Sequence, residues 1–129
     1  MSRRMSVALT IDAVKARTKT VTRRHPDTWG NLRPGDGLTL VEKAMGLAKG
    51  SKQVVLAEVV VVSNQIETLG QVDHHEVWLE GLGQMSPTEF RWFWARSHGH
   101  ADHDAEDLFL IQCRRIAWSY TIINTEVEQ

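Results

Sequence analysis

A short segment near the start of the chain, residues 19–24, combines side chains that can bind anions with side chains that can react. Within six residues it carries one ammonium, two hydroxyl and two guanidinium groups, on Lys19, Thr20, Thr22, Arg23 and Arg24. Guanidinium groups form paired hydrogen bonds to phosphate or carbonyl oxygens. A lysine can hold a phosphate or activate a neighbouring hydroxyl as a nucleophile. The segment is therefore the first candidate for a ligand site.

The spacing of these side chains limits how they can cooperate. Alternation of β-branched and polar residues predicts a strand over residues 20–24. In an ideal strand Thr22 and Arg24 share one face, whereas Lys19 and Arg23 share the other. Lys19 and Thr22 would then lie about 10 Å apart along the chain and point in opposite directions. Joint action requires Lys19 to precede the strand; the alternative is an edge strand with a solvated basic face.

The charge of the chain is unevenly distributed around this segment. The whole chain has a formal net charge of −1, with 15 basic and 16 acidic side chains. Residues 1–24 nevertheless hold seven basic side chains against the single acid Asp12, so their local charge is 7 − 1 = +6. One positive pole on a nearly neutral protein favours a local anionic ligand over long duplex DNA, which requires a broadly basic surface.

A run rich in histidine and aspartate, residues 98–104, is the second candidate site. Imidazoles and carboxylates recur there at short intervals, on His98, His100, Asp102, His103 and Asp104. The spacing matches no zinc motif, and the glycine and alanine between these residues indicate a loop. We therefore predict no metal site, and nothing in the sequence calls for a cofactor.

Hydrophobic periodicity predicts the elements that position these segments. Strands are expected over residues 5–10, 20–24, 38–41, 54–62 and 108–118. Helices are expected from an N-cap at Thr10 to about residue 17, over residues 72–79, and from a capping box at Ser86 and Glu89 to about residue 97. Loops are expected at 44–52 and 99–105, and a tail at 119–129. Strands at both ends with helices between them predict one α+β domain, a small mixed β-barrel flanked by helices.

The overall composition narrows the class of protein. A chain of 129 residues, 42% of them hydrophobic, is long enough for one globular domain. No apolar run approaches the roughly 20 residues of a membrane helix, and the basic start lacks the apolar stretch of a signal peptide. We therefore expect a cytoplasmic protein without a membrane partner. The single cysteine, Cys113, is expected to be buried and inert. Strand pairing through residues 54–62 would give a homodimer; a monomer is the alternative.

The order of several motifs resembles that of the ASCH domain family. The family shows a Gly-x-Lys-x-x-x-x-Arg pattern after its first helix, which Lys19 and Arg24 match, with Arg17 at the position where glycine is usual. A turn into a strand follows at Arg33-Pro34-Gly35-Asp36-Gly37, then a Glu80-Gly81 pair and a helix start at Thr88-Glu89-Phe90. The resemblance covers about residues 5–118, and it implies a PUA-like β-barrel.

The resemblance implies two kinds of function. ASCH domains are generally thought to bind RNA or nucleotides, here in a basic cleft that Thr20, Arg23 and Arg24 would line. Among the tryptophans, Trp29, which follows this segment, is the candidate to stack on a base or close the pocket; packing in the core or at a hinge is the alternative. The partner would be RNA, a nucleotide or a modified nucleoside.

The alternative function is enzymatic. Small bacterial ASCH proteins are amidohydrolases that act on acetylcytidine through a lysine, a threonine three residues later and a glutamate, which Lys19, Thr22 and Glu80 match. Thr22 would be the nucleophile, Lys19 would activate it, and Glu80 would shuttle protons. Ribonuclease activity in the same cleft is a third function that we consider. Glu80 decides between these functions: a carboxylate turned to solvent leaves binding alone, whereas one that converges with Lys19 and Thr22 favours catalysis. A Glu80 that only neutralises Lys19 or Arg24 in a binding pocket is the alternative.

Overall fold

The computed structural model describes residues 3–43, 49–100 and 105–120. For Ala105 and Glu106 it describes only the backbone. The described residues form a mixed α+β structure built on five strands. The strands are β1 (Arg3–Ser6), β2 (Val21–Arg24), β3 (Gly37–Val41), β4 (Val55–Thr68) and β5 (Gln112–Ser119). The helices are α1 (Ile11–Lys15), α2 (His74–Leu79), α3 (Pro87–Ser97) and α4 (Ala105–Leu108), with a 3-10 turn at Leu69–Gln71.

The strands form a single sheet in the order β1-β3-β4-β5-β2. β1 runs parallel to β3, and every other neighbouring pair is antiparallel. Two register shifts interrupt the ladders along β4, one near Leu56 and one at Val62. Bulges of this kind bend a strand and increase its twist. The sheet is therefore curled into a half-barrel whose edges are β1 and β2, where the sequence predicted a barrel.

Strand β4 is longer than the apolar run that predicted it. The run ends at residue 62, but the strand continues to Thr68 and pairs with β5 along the added length. The added part is polar because its side chains bond to other elements rather than fill the core. The Asn64 amide donates to Trp29 O and Leu32 O, at 2.9 and 2.7 Å, and so anchors the loop between β2 and β3.

Helix α1 ends two residues earlier than expected, and its end places Lys19. Arg17 adopts a left-handed backbone conformation with φ of 62°. The amide of Thr18 donates to Ala13 O and that of Arg17 to Val14 O, which is the Schellman pattern of helix termination. Thr10 occupies the predicted N-cap position, but its side chain makes no capping hydrogen bond. The left-handed residue turns the chain so that Lys19 precedes β2 rather than lying within it.

Helix α3 begins where the capping box predicted. Ser86 Oγ accepts from the Glu89 amide at 3.1 Å, and the Glu89 carboxylate accepts from the Ser86 amide at 2.8 Å. The helix buries Phe90 and Trp94 on the side facing the sheet. A third helix was expected over residues 72–79; it is α2, which starts at His74 because the Asp73 side chain caps it.

Three predicted boundaries near the end of the chain need correction. Residues 99–105 were expected to be a loop, but α4 begins at Ala105, and residues 101–104 lie outside the described part. The last strand was expected from residue 108, yet Leu108 ends α4, where it is buried, and β5 starts at Gln112. Ser119 was expected in the tail but belongs to β5. Residues 44–48 of the expected hairpin loop and 121–129 of the tail are also outside the described residues.

Two clusters of buried side chains hold these elements together. The first fills the concave side of the half-barrel with residues of β1, α1, β3, β4 and β5, including Met5, Leu40 and Trp118. The second lies between the helices and the far ends of β4 and β5, and includes Phe90 and Cys113. Within the described residues, no helix is long and apolar enough to cross a membrane.

Candidate functional site

A cavity of about 270 Å³ opens between the two edges of the half-barrel. Ser6 and Val7 border it at the end of β1, and Thr22 and Arg24 border it from β2. The Arg24 guanidinium crosses this opening and donates to Ser6 O at 2.7 Å. The side chain of one edge strand thus bonds to the backbone of the other. The cavity lies where the half-barrel does not close, and the segment singled out from the sequence forms one of its walls.

Lys19 lies at the base of the cavity, in the turn before β2, as joint action with Thr22 requires. The residue is 3% exposed, and its ammonium donates to Val21 O at 2.8 Å and to Glu80 O at 2.6 Å. The Glu80 carboxylate lies 3.6 Å from the same nitrogen. Burial lowers the pKa of Lys19 from 10.5 to about 8, although Glu80 acts in the opposite direction. A substantial fraction of this lysine is therefore neutral in mildly alkaline solution.

Glu80 is turned into the cavity and away from solvent, with 4% of its surface exposed. It caps the C-terminus of α2, and the chain leaves it through Gly81, whose φ is 86°. A Cβ at position 81 would lie 2.8 Å from the Cβ of Ala13, so α1 and the end of α2 approach each other closely there. Lys19 and Glu80, 61 residues apart in the chain, are thereby brought into contact.

Arg23 forms an ion pair with the other oxygen of the Glu80 carboxylate and with two further carboxylates. Its guanidinium, fully buried, donates to Glu80 at 3.0 Å, Glu67 at 2.9 Å and Glu76 at 2.5 Å. Glu76 also accepts from Arg115 at 2.7 Å. Burial alone would lower the pKa of Arg23, but the carboxylates, Glu80 foremost, raise it above its usual value. Arg23 borders the cavity, yet both of its terminal nitrogens donate to protein carboxylates, so its geometry suits a fixed internal cation.

Thr22 and Arg24 lie next to one another on the same face of β2. Thr22 is 4% exposed, and its Oγ1 accepts a hydrogen bond from Arg24 Nε at 3.2 Å. Because the oxygen accepts from Arg24, the proton of the hydroxyl is left to point towards another group. Arg24 thus fixes the orientation of Thr22 while it links the two edges of the half-barrel.

The opposite wall of the cavity is apolar and aromatic. Helix α3 supplies Phe90, Phe93 and Trp94, and the segments after β1 and α2 supply Leu9 and Leu82. The spacing of Phe90, Phe93 and Trp94 places them on one side of a helix, and this spacing is the signal that could have identified the wall. The cavity therefore has one charged end and one apolar, aromatic side, the combination typical of small-molecule sites.

Two of the residues proposed from the sequence lie outside the lining of this cavity. Thr20 uses its backbone, since its amide donates to Leu79 O and its carbonyl accepts from the Trp118 amide. Trp29 packs against the first core cluster, with the Arg3 guanidinium 4.3 Å above its ring. Its left-handed backbone, with φ of 58°, belongs to the loop that Asn64 anchors. Ligand contact by either residue stays a prediction.

The histidine-rich run, residues 98–104, and Cys113 are the remaining residues with reactive or metal-binding side chains that the sequence analysis considered. In the part of the chain that the structure describes, no group of three or more His, Cys, Asp or Glu side chains is arranged to hold a metal ion. His98 lines the cavity beside Phe93 and Trp94, whereas residues 101–104 are not among those described. Cys113 is buried, as predicted, and burial raises the pKa of its thiol to about 12, so it stays protonated.

Sequence reasoning missed several members of the site. The carboxylates around Arg23 come from β4 and α2, and Glu67 and Glu76 carry no local signal that assigns them to it. His98 was considered only as a member of the histidine run. Comparison of the chain with protein-family models, curated proteins and solved structures gives no match. The site is therefore interpreted from its own geometry.

Proposed function

We propose that this cavity binds a nucleoside-sized ligand and hydrolyses an amide bond on it, with an N-acylated cytidine-like nucleoside as the substrate. The observation that carries the proposal is the buried Lys19–Glu80 pair, which lines the same cavity as the Thr22 hydroxyl. Buried ionisable groups with shifted pKa values, gathered in a cleft, are typical of catalytic sites. Burial of a lysine disfavours its charged form, so a role for the neutral amine accounts for its position.

The shape of the cavity supports a small ligand. A volume of about 270 Å³ lies just below the range for small-molecule pockets, about 300–1,000 Å³. The aromatic wall to which Phe90 and Phe93 contribute suits a planar ring, because aromatic side chains stack on the faces of bases. The charged end suits the polar group that the ring carries.

The reaction begins with the Thr22 hydroxyl. Neutral Lys19 takes the hydroxyl proton while Oγ1 forms a bond to the acyl carbon, and the carbonyl oxygen becomes an oxyanion. The C–N bond then breaks, and the leaving nitrogen takes the proton that Lys19 received from Thr22, either directly or relayed by the Glu80 carboxylate. Water next attacks the acyl-threonine ester, which releases the carboxylic acid and restores the hydroxyl. The sum is amide plus water giving amine plus acid.

The neighbouring charges support these roles. Arg24 donates to Thr22 Oγ1, so it orients the nucleophile and favours the partial negative charge that grows on this oxygen. Glu80, held by Arg23 on its far oxygen, keeps the remaining oxygen towards Lys19. Oriented groups of this kind raise rates because they need no rearrangement during the reaction.

The resemblance to ASCH domains supports the same three residues. A PUA-like barrel is part of this proposal, and the curled five-strand half-barrel is consistent with it. Lys19, Thr22 and Glu80 are the positions that match the amidohydrolase pattern, and all three line the cavity. In the second candidate function the cavity binds RNA or a nucleotide without catalysis. The extensive ion pairing favours this binding function, because a network of paired charges is explained by its stabilisation of a binding site and requires no catalysis.

Incubation of the protein with acetylcytidine, followed by measurement of released cytidine, tests the proposal. We expect turnover by the wild type, and a loss of about 10²-fold or more in Lys19→Met, Thr22→Val and Glu80→Gln, the usual scale for removed acid, base or nucleophile. Lys15→Met and Thr28→Val are matched controls, because both residues are exposed and distant from the cavity lining. Thermal melting of every variant shows whether it is folded.

Two results would contradict the catalytic proposal in different ways. Turnover that survives both Lys19→Met and Thr22→Val rejects the assigned residues. A wild type that binds cytidine or a short RNA in a salt-dependent titration, but releases no cytidine, leaves the binding function. Cleavage of the RNA instead of its binding would support the ribonuclease that the sequence also suggested.

A further inference from the structure

The ring of His98 is fixed at the rim of the cavity by two independent contacts. The residue caps the C-terminus of α3, and its Nδ1 lies 2.8 Å from Trp94 O. Its ring also stacks on the Trp94 ring, with centroids 3.8 Å apart and planes inclined by 11°. Trp94 is itself held, because its Nε1 donates to Arg23 O at 3.0 Å. The imidazole is thus tied to the strand that carries Thr22.

These contacts determine which nitrogen carries the proton. A backbone carbonyl only accepts hydrogen bonds, so Nδ1 is the protonated nitrogen and Nε2 carries a lone pair. Burial, the largest effect, lowers the pKa of His98, and the nearby Arg24 guanidinium acts in the same direction. The hydrogen bond to Trp94 O raises the pKa, but the net lowering favours the neutral ring. Nε2 makes no hydrogen bond with any residue that the structure describes.

The position of this lone pair complements the rest of the cavity. Nδ1 faces the helix carbonyl, so Nε2 lies on the part of the ring turned away from it, and the residue lines the cavity. At the charged end, Arg24 brings only N–H donors. His98 adds an acceptor beside the aromatic wall, where the edge of a stacked ring would lie.

We propose that His98 determines ligand specificity by accepting, at Nε2, a hydrogen bond from an N–H group on the edge of a planar heterocycle. This inference rests on the proposed function of the cavity and names the ligand feature that it selects. A ring with an amino or acylamino group meets the requirement. A ring that presents a carbonyl oxygen or a C–H at the same place does not, because two lone pairs repel and a C–H leaves Nε2 unsatisfied.

Binding of two matched nucleosides to three proteins tests this inference. Cytidine and 2-pyrimidinone riboside differ by one amino group, so titration calorimetry with both measures the worth of that group. We expect the wild type to prefer cytidine by about tenfold, the scale of one buried unpaired acceptor. His98→Phe keeps a ring to stack on Trp94 but has no acceptor, so it should lose the preference. His98→Gln, whose amide oxygen reaches about as far as Nε2, should restore part of it.

Each outcome decides a separate claim. A preference for cytidine that persists in His98→Phe overturns the role of His98 and leaves the cavity's function intact. Equal binding of the two nucleosides by the wild type does the same. A wild type that binds neither rejects both proposals. The ¹⁵N chemical shift of Nε2 in the wild type is a second measurement that needs no variant: it should move on addition of cytidine and stay unchanged with the analogue, and the reverse would overturn the inference.

Discussion

At the scale of single residues, the burial of Lys19 is the feature with the clearest chemical consequence. An ammonium group withdrawn from water is stabilised less than one at the surface, so its pKa falls. The nearby Glu80 carboxylate only partly offsets this effect. Two backbone carbonyl groups accept hydrogen bonds from the side chain. The neutral amine that a general base requires is populated close to physiological pH.

The lowered pKa of Lys19 predicts the pH dependence of turnover. If the neutral amine is the base, kcat/KM should rise with pH and level off above about 8, since the neutral fraction grows as the pH passes the pKa. Initial rates of cytidine release across this interval provide the measurement. A rate that is constant from about pH 7 to 9, or that falls as the pH rises, would contradict the assignment of Lys19 as the base.

The candidate site was only partly predictable at this scale. Lys19, Thr22 and Glu80 were selected by the resemblance, and strand geometry made the position of Lys19 before the strand a condition for its joint action with Thr22. Spacing alone could not assign Glu80, because its contact with Lys19 depends on how α2 packs against β2. The partners of Arg23 were hidden for the same reason, since they lie on β4 and α2.

At the scale of elements, the backbone at the end of helix α1 is strained, because the residue at its left-handed position is not glycine. Arg17 occupies the left-handed position that terminates the helix, where the absence of a Cβ makes glycine favourable. This is also the position where the resemblance called for glycine. Its guanidinium lies 5.2 Å from the Tyr120 ring centre, a contact that exposure weakens.

Substitution of Arg17 by glycine should stabilise the protein. We expect Arg17→Gly to raise the free energy of unfolding by about 1 kcal/mol, because relief of the left-handed strain exceeds the entropy that glycine adds to the unfolded chain. Urea unfolding followed by tryptophan fluorescence measures the change. Arg33→Gly is unsuitable as a control because it alters a turn, whereas Lys15→Gly, inside α1, should destabilise. A destabilised Arg17→Gly would show that the Tyr120 contact dominates.

Element boundaries were predictable where local chemistry determines them. The capping box at Ser86 and Glu89 placed the start of α3 correctly because both hydrogen bonds lie within four residues. The polar half of β4 was missed because its side chains bond to the β2–β3 loop and to Arg23 instead of forming an apolar stripe. The start of β5 was missed because α4 takes up Leu108 from the same apolar run.

At the scale of the whole molecule, Arg23 connects elements that are distant in the chain. Its three carboxylate partners lie on β4, on α2 and at the end of α2, and Glu76 extends the network to Arg115 on β5. The network thus joins the half-barrel to the helical side, next to the cavity. Among the described cations of the network, Arg23 is the only one that Glu67 contacts.

Loss of Arg23 should therefore destabilise the entire fold. Arg23→Met leaves buried carboxylates without their cation, and we expect it to lower the free energy of unfolding by about 3–5 kcal/mol at neutral pH. The deficit should shrink in acid, as protonation removes the unpaired charges. Arg33→Met, on an exposed side chain, is the matched control. Equal urea midpoints for Arg23→Met and the wild type would contradict this view of the network.

The fold class was predictable from the order of strands and helices, whereas the closure of the barrel was not. Strand count and curvature alone do not decide whether the edges pair. Among the described residues, β1 and β2 are joined across the opening by the Arg24 side chain, and the cavity occupies the space that a backbone ladder would fill. The site therefore depends on a tertiary feature that no local pattern encodes.

The central claim is that Thr22 attacks an acyl group in this cavity, and the chemical state of Thr22 during turnover tests it most directly. Protein mixed with acetylcytidine, quenched in acid within the first turnovers and digested, can be measured by mass spectrometry. We predict one acetyl group on the peptide with Thr22 in the wild type, and none in Thr22→Val together with lost cytidine release. Cytidine release by the wild type with Thr22 unmodified, matched by an equal rate in Thr22→Val, would contradict the claim.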